Sequence, residues 1–159
     1  MADPPRLLHL HSSFDLGGKE ARAVQLMNHW GPRATHSVVS GVAGAMGAAS
    51  AINKDISVSY PDPPPLQGRP GLSRFRAIAR SMQGHDLILT YNWGAMDAVF
   101  AHRLFARSMR LPPLIHHEDG FNADEADSLK PARNLYRRFG LSRASALVVP
   151  STVLERIAL

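Results

Sequence analysis

A chain of 159 residues with 45% hydrophobic content is long enough for one domain with an adequate core and too apolar for a disordered segment. It has no cysteine, which excludes disulfide frameworks and thiolate metal sites and fits a reducing cytoplasm. No apolar run approaches a membrane-spanning length, and the opening Met1-Ala2-Asp3-Pro4-Pro5-Arg6 lacks the apolar stretch of a signal peptide.

In chain order, residues 7–11 read as an apolar strand, followed by a loop ending in Gly17-Gly18 and a helix starting near Lys19. Glycines at a strand-to-helix turn let the backbone approach a ligand, because neither carries a Cβ. The unpaired amides of the first helical turn favour an anion such as phosphate or carboxylate. The plain alternative is a tight turn that meets no ligand. The dinucleotide fingerprint G-x-G-x-x-G is missing here. A P-loop also fails, since Ser13 stands where its first glycine belongs and Glu20 where Ser or Thr would hold magnesium.

The helix carries an apolar stripe at Ala23, Leu26, Met27 and Trp30 and stops at Gly31-Pro32. Strands are expected over 36–40 and 56–60, with the small-residue run 41–51 between them as a pliable loop or short helix. Pro61-Asp62-Pro63-Pro64-Pro65 forms a stiff polyproline-like connector. Helices over 72–82 and 95–110 enclose a strand over 86–91, and a further strand covers 114–117. Pro131 opens a helix over 131–139, residues 146–149 form the last strand, and Ser151 caps a final helix. Repeated βα units with right-handed crossovers predict an open α/β domain, a mostly parallel sheet with helices on both faces.

Ligands of such sheets sit at the carboxyl ends of the strands. That rule gathers Ser12-Ser13, Gly17-Gly18, Tyr91-Asn92-Trp93-Gly94, His116-His117-Glu118-Asp119-Gly120 and Pro150-Ser151 around one crevice. The formal charge of +5 is uneven. Arginines 69, 74, 76, 80, 103, 107 and 110 share their segment with only Asp86 and Asp97. On a helix, Arg103, Arg107 and Arg110 fall on one face, which is either a solvated surface or one that meets anionic lipid head groups. Nothing points to nucleic acid as a partner.

The succession of strand, Gly-Gly-x-Glu, strand-Asn-Trp-Gly, His-x-Glu-x-Gly and a closing Leu-Val-Val-Pro-Ser resembles the amino-terminal domain of family 4 glycosyltransferases, from Leu7 to Leu159. The resemblance implies the Rossmann-like amino-terminal half of a GT-B fold, with residues 1–159 as a single, mainly acceptor-side domain. It implies retaining transfer from a nucleotide-sugar donor, with no further cofactor, to the hydroxyl of a glycan or lipid-linked acceptor, in the cytoplasm or at the inner membrane face. Gly17 and Gly18 would approach donor phosphates or acceptor, and Glu20 occupies the glutamate of the motif. Lys19, Asn92 and Trp93 would line the same binding surface. Many members place a histidine immediately before the glycine at the later strand end. Here Asp119 stands there, so His116, His117, Glu118 and Asp119 together become the candidate catalytic group. A carboxyl-terminal domain that grips the nucleotide sugar is expected beyond Leu159, and the 159-residue chain alone is expected not to transfer sugar.

Two other classes stay open. His9-Leu10-His11 puts two imidazoles on one strand face, and with His116 to Asp119 this raises a metal-dependent hydrolase, although His9 and His11 could equally pack within the sheet. A non-enzymatic, flavodoxin-like binding module would use the same crevice, since fold alone never fixes function.

Overall fold

The computed structural model describes residues 3–119, 131–152 and 155. Six parallel strands form one sheet: β1 (Arg6–His11), β2 (Thr35–Ser40), β3 (Val58–Ser59), β4 (Leu87–Tyr91), β5 (Leu114–His117) and β6 (Ala146–Val148), in the order β3-β2-β1-β4-β5-β6. This is the strand order of a Rossmann-like sheet, and the order reverses between β1 and β4. The fold class expected from the alternating pattern is the one observed.

Alternation along β1 splits the core. Leu7 joins Val38 and Leu89 under Ala23, Val24 and Met27 of helix α1 (Gly18–Trp30). Leu8 and Leu10 face the other way, with Ile88, against α2 (Leu72–Met82) and α3 (Met96–Met109). Both sheet faces are thus covered, which is why β1 and β4 carry buried leucine or isoleucine on both faces. Helix α4 (Pro131–Leu141) lies against α3, where a Cβ on Gly140 would come 3.3 Å from Met96 Cε. Glycine therefore sets how closely these two helices approach.

The boundaries differ from expectation in informative places. The buried face of α1 is Glu20, Ala23, Val24 and Met27, so Val24 takes the place expected for Leu26, while Trp30 lies partly buried over His36. The third strand shrinks from 56–60 to two residues because only Val58 and Ser59 find partners on β2. The 41–51 run resolves into a turn and a 3-10 segment over Gly47–Ala51. A 3-10 turn over Trp93–Ala95 precedes α3, and Arg110 ends that helix in the left-handed region at φ 51°. Glu155 N–H donates to Ser151 O at 3.0 Å, as in the first turn of the expected final helix. Gly120 and the rest of that helix lie outside the described residues.

Met27 is fully buried between α1 and the sheet. Met27→Ala should lower unfolding free energy by about 2–5 kcal/mol, measured by urea denaturation, since the small core leaves a cavity little room to collapse.

Candidate functional site

The crevice is built where β1 and β4 diverge. After β1 the chain turns through Ser12 and Ser13 to Gly17, which has extended backbone (φ −160°) and precedes α1 without any side-chain cap. A Cβ on Gly17 would meet Glu20 Oε2 at 2.7 Å, because the Glu20 side chain folds back over it. A Cβ on Gly18 would meet nothing within 4 Å. Neither glycine has positive φ, so the pair is there for space and not for a left-handed turn. Lys19 Nζ donates to Ser12 Oγ at 3.1 Å and lies 3.2 Å from the buried Glu20 carboxylate.

The second wall is the loop after β4. Asn92 sits at φ 55°, a conformation that few non-glycine residues adopt. Two hydrogen bonds hold it there. Asn92 N–H donates to His117 O at 2.7 Å, and Asn92 Oδ1 accepts Asp119 N–H at 2.6 Å. Asn92, expected to line the binding surface, thus clamps the end of β5 with its side-chain oxygen. Gly94 comes so close to β1 that a Cβ would lie 2.3 Å from Ser12 Cβ and 2.6 Å from Ser12 Oγ.

Successive side chains on a strand point to opposite faces, and this divides the candidate catalytic group. His117 and Asp119 turn toward α1. Arg22 Nη2 donates to His117 Nδ1 at 3.1 Å, and Arg22 Nη1 pairs with Asp119 Oδ1 at 2.7 Å. An arginine can only donate, so His117 is neutral with its proton on Nε2. Burial, then Arg22 and His116, push its pKa down to about 4. Burial raises the Asp119 pKa while Arg22 opposes it, and Asp119 Oδ2 has no hydrogen-bond partner among the described residues.

His116 and Glu118 turn toward α4. His116 Nδ1 is 2.8 Å from Thr90 Oγ1, and its Nε2 is 3.7 Å from Glu118 Oε2, which lies 3.8 Å from Arg137 Nε. Trp93 belongs to this side too. Its ring lies about 5 Å from the Arg133 and Arg137 guanidinium groups and edge-on to Tyr136. The residues grouped by sequence therefore form two clusters: Gly17, Gly18, Lys19, Glu20, His117 and Asp119 on the α1 side, and His116, Glu118 and Trp93 on the α4 side, with Asn92 between them.

Arg22 was missed by motif reading, and it ties His117 to Asp119. Its signal is positional, one helical turn beyond Gly18 on the face that overhangs the amino terminus of α1. The arginine cluster is also less free than its composition suggests. Arg74 pairs with Asp97 at 2.5 Å, and Arg103 bonds Ser142 and covers Phe139.

Beneath the crevice lies a polar layer. Tyr91 OH is 2.8 Å from His9 Nδ1, and His9 Nε2 is 2.9 Å from His36 Nδ1. His11 stacks on Tyr91 at 4.0 Å, and Tyr91 stacks on His117 at 4.8 Å. His9 and His11 are fully buried, and among the described residues no group of three metal-ligating side chains comes together. Burial and the neighbouring imidazoles drive the His9 pKa well down, and burial with Lys19 takes His11 to about 3. No protein-family model and no curated protein matches the chain.

Two predictions follow from this geometry. Gly94→Ala should destabilise the fold by about 1–3 kcal/mol through overpacking. The clash is with the Ser12 side chain, so Gly94→Ala combined with Ser12→Gly should recover most of the lost melting temperature. The second concerns acid. Histidines that fold with depressed pKa values stabilise fully above about pH 6.5, where the unfolded chain is neutral, and lose that contribution as pH falls toward their folded values near 3 to 4. Unfolding free energy should therefore drop steadily between pH 7 and pH 4. His11→Phe, which keeps the ring stack, should flatten that slope by up to about 1.4 kcal/mol per pH unit. An unchanged slope would show that His11 titrates normally.

Proposed function

We propose that this chain is the acceptor-side domain of a retaining glycosyltransferase of the GT-B type, with its reaction crevice at the carboxyl ends of β1, β4 and β5. The observation that carries the reading is the open backbone of Gly18 at the start of α1, at the point where strand order reverses. Space above a helix amino terminus, with Lys19 and Arg22 beside it, suits the phosphate of a nucleotide-sugar or the oxygens of an acceptor. The order of motifs along the chain supports the same reading.

In the transfer step the bond between sugar and diphosphate breaks as the acceptor oxygen bonds the anomeric carbon. Negative charge grows on the leaving diphosphate and positive charge on the sugar ring. The amides at Gly18 and Lys19, with the Arg22 cation, would stabilise the diphosphate electrostatically. Asp119 would orient the acceptor hydroxyl, whose proton passes to the departing diphosphate oxygen, and the neutral His117 would donate from Nε2 to a sugar oxygen. Both are held by Arg22, so the donor and the acceptor of these hydrogen bonds keep a fixed relation. The donor-gripping domain is not among these residues. Separately from the crevice, the exposed Arg76, Arg80 and Arg107 on α2 and α3 would meet the anionic head groups of a membrane surface.

The test is a titration of the 159-residue chain with UDP-glucose, GDP-mannose and inorganic pyrophosphate, followed by NMR at backbone amides. Weak shifts should centre on Gly17, Gly18, Lys19 and Asp119, with no sugar transfer. Gly18→Val should abolish them while moving the melting temperature by no more than about 2 °C, because an exposed site away from packing is worth about 0.5 kcal/mol or less. Shifts that persist in Gly18→Val, or none with any of the three, would defeat the proposal.

A further inference from the structure

A second concavity lies beside the crevice, against the carboxyl ends of β2 and β3. It is a groove of about 400 Å³, within the range of small-ligand pockets. One wall is the 41–51 segment with Val42 and Met46, the floor includes Val38, and the other wall is Tyr60 with Pro61 and Pro63. We propose that this groove binds an uncharged amphiphile, packing the apolar group between Val42 and Tyr60 and leaving the hydroxyl-bearing end near Asp62.

Three observations carry the assignment. First, both walls are preformed. Phe14 N–H donates to Ala45 O and Ala48 N–H to Phe14 O, each at 3.0 Å, and Gly47 N–H donates to Asp15 Oδ1 at 3.1 Å. The opposite wall is a run of prolines with fixed φ, anchored where Leu66 enters the core on the other sheet face at 3% exposure. A groove that does not have to order itself loses little on binding. Second, the groove exposes apolar surface that the fold itself does not use, with Val42 at 45% and Tyr60 at 50% exposure.

Third, the polar lining selects against charge. Among the described residues no Lys, Arg or His lines the groove, and the Ser40 hydroxyl donates to Val42 O at 2.9 Å. A phosphate or carboxylate would find no cation among these lining residues and would face the Asp62 carboxylate. Asp62 is exposed and well solvated, so it attracts a cation weakly, yet its oxygens can accept from ligand hydroxyls as the Tyr60 phenol can. The crevice at Gly18, with Lys19 and Arg22, has the opposite character. The assignment stands on the groove's own lining and does not depend on the transferase reading.

The experiment uses the isotope-labelled chain and n-octyl β-D-glucoside below its micelle concentration, with methyl β-D-glucoside and octyl phosphate as comparisons. Octyl glucoside should give saturable amide shifts at Val42, Ala43, Gly44 and Tyr60. Methyl glucoside should give none at the same concentration, and octyl phosphate should bind at least about fivefold more weakly, near 1 kcal/mol. Ala43→Trp, at an exposed position, should fill the groove and weaken octyl glucoside by at least about tenfold. Tyr60→Ser removes the opposite wall and should do the same, while Asp62→Asn should change affinity by about twofold or less. Shifts scattered over the surface, affinity unchanged in both wall variants, tighter binding of octyl phosphate, or loss in Asp62→Asn would each overturn the proposal.

Discussion

The innermost strand carries two imidazoles that must remain uncharged, and much of the structure follows from that requirement. β1 is paired on both sides and covered on both faces, so His9 and His11 have no water to solvate a proton. His9 is satisfied by sharing its ring nitrogens with Tyr91 and His36. Among the described residues His11 has no hydrogen-bond partner for either nitrogen; it stacks on Tyr91 and lies tilted against Phe14. Tyr91 is therefore the hub. Its hydroxyl completes the histidine pair, its ring supports His11, and the same ring lies against His117 at the mouth of the crevice. Trp30 closes the far end by stacking on His36 at 5.8 Å. Ring by ring, the polar layer forms one connected floor beneath the crevice.

Above that floor, strand alternation decides which side chains can act together. His116 and His117 are adjacent in sequence and separated by the sheet. Only His117 shares a side with the glycine corner and Arg22, and only Asp119 of the two acids joins it. The α4 side gathers His116, Glu118, Arg137 and Trp93 into an arrangement that packs a helix onto the sheet edge. Asn92 connects the two sides. Its unusual backbone is stable because two hydrogen bonds to the end of β5 require it, and this fixes the offset between the β4 and β5 loops.

Much of the framework could be read from the chain because it rests on local signals. Apolar runs bounded by Gly and Pro located the strands to within a few residues, and Gly31-Pro32 ended α1 as expected. The glycine pair was legible as a place where a ligand could come near. What could not be read was every relation that depends on tertiary approach. The need for glycine at position 94 comes from Ser12, more than eighty residues away, and no local pattern announces it. Arg22 belongs to no sequence motif, and only the fold brings His117 and Asp119 within its reach. The same holds for Arg74 and Arg103, whose charges suggested a basic surface and are spent on Asp97, Ser142 and Phe139.

The loop after β1 links the two concavities. Phe14 is fully buried and exchanges two backbone hydrogen bonds with the 45–48 segment, while Asp15 accepts from Gly47. Three residues later the same loop delivers Gly18 to the crevice. The groove wall and the start of α1 are thus joined mainly through paired backbone groups. Lys19 adds a second restraint by bonding Ser12, the residue against which Gly94 is packed. The charged crevice and the apolar groove share no lining residue, and the backbone of residues 12–18 connects the wall of one to the wall of the other. A molecule with a polar end and an apolar end could occupy both only if its length matched their separation, so the geometry of this loop, more than the identity of either lining, would limit what spans them.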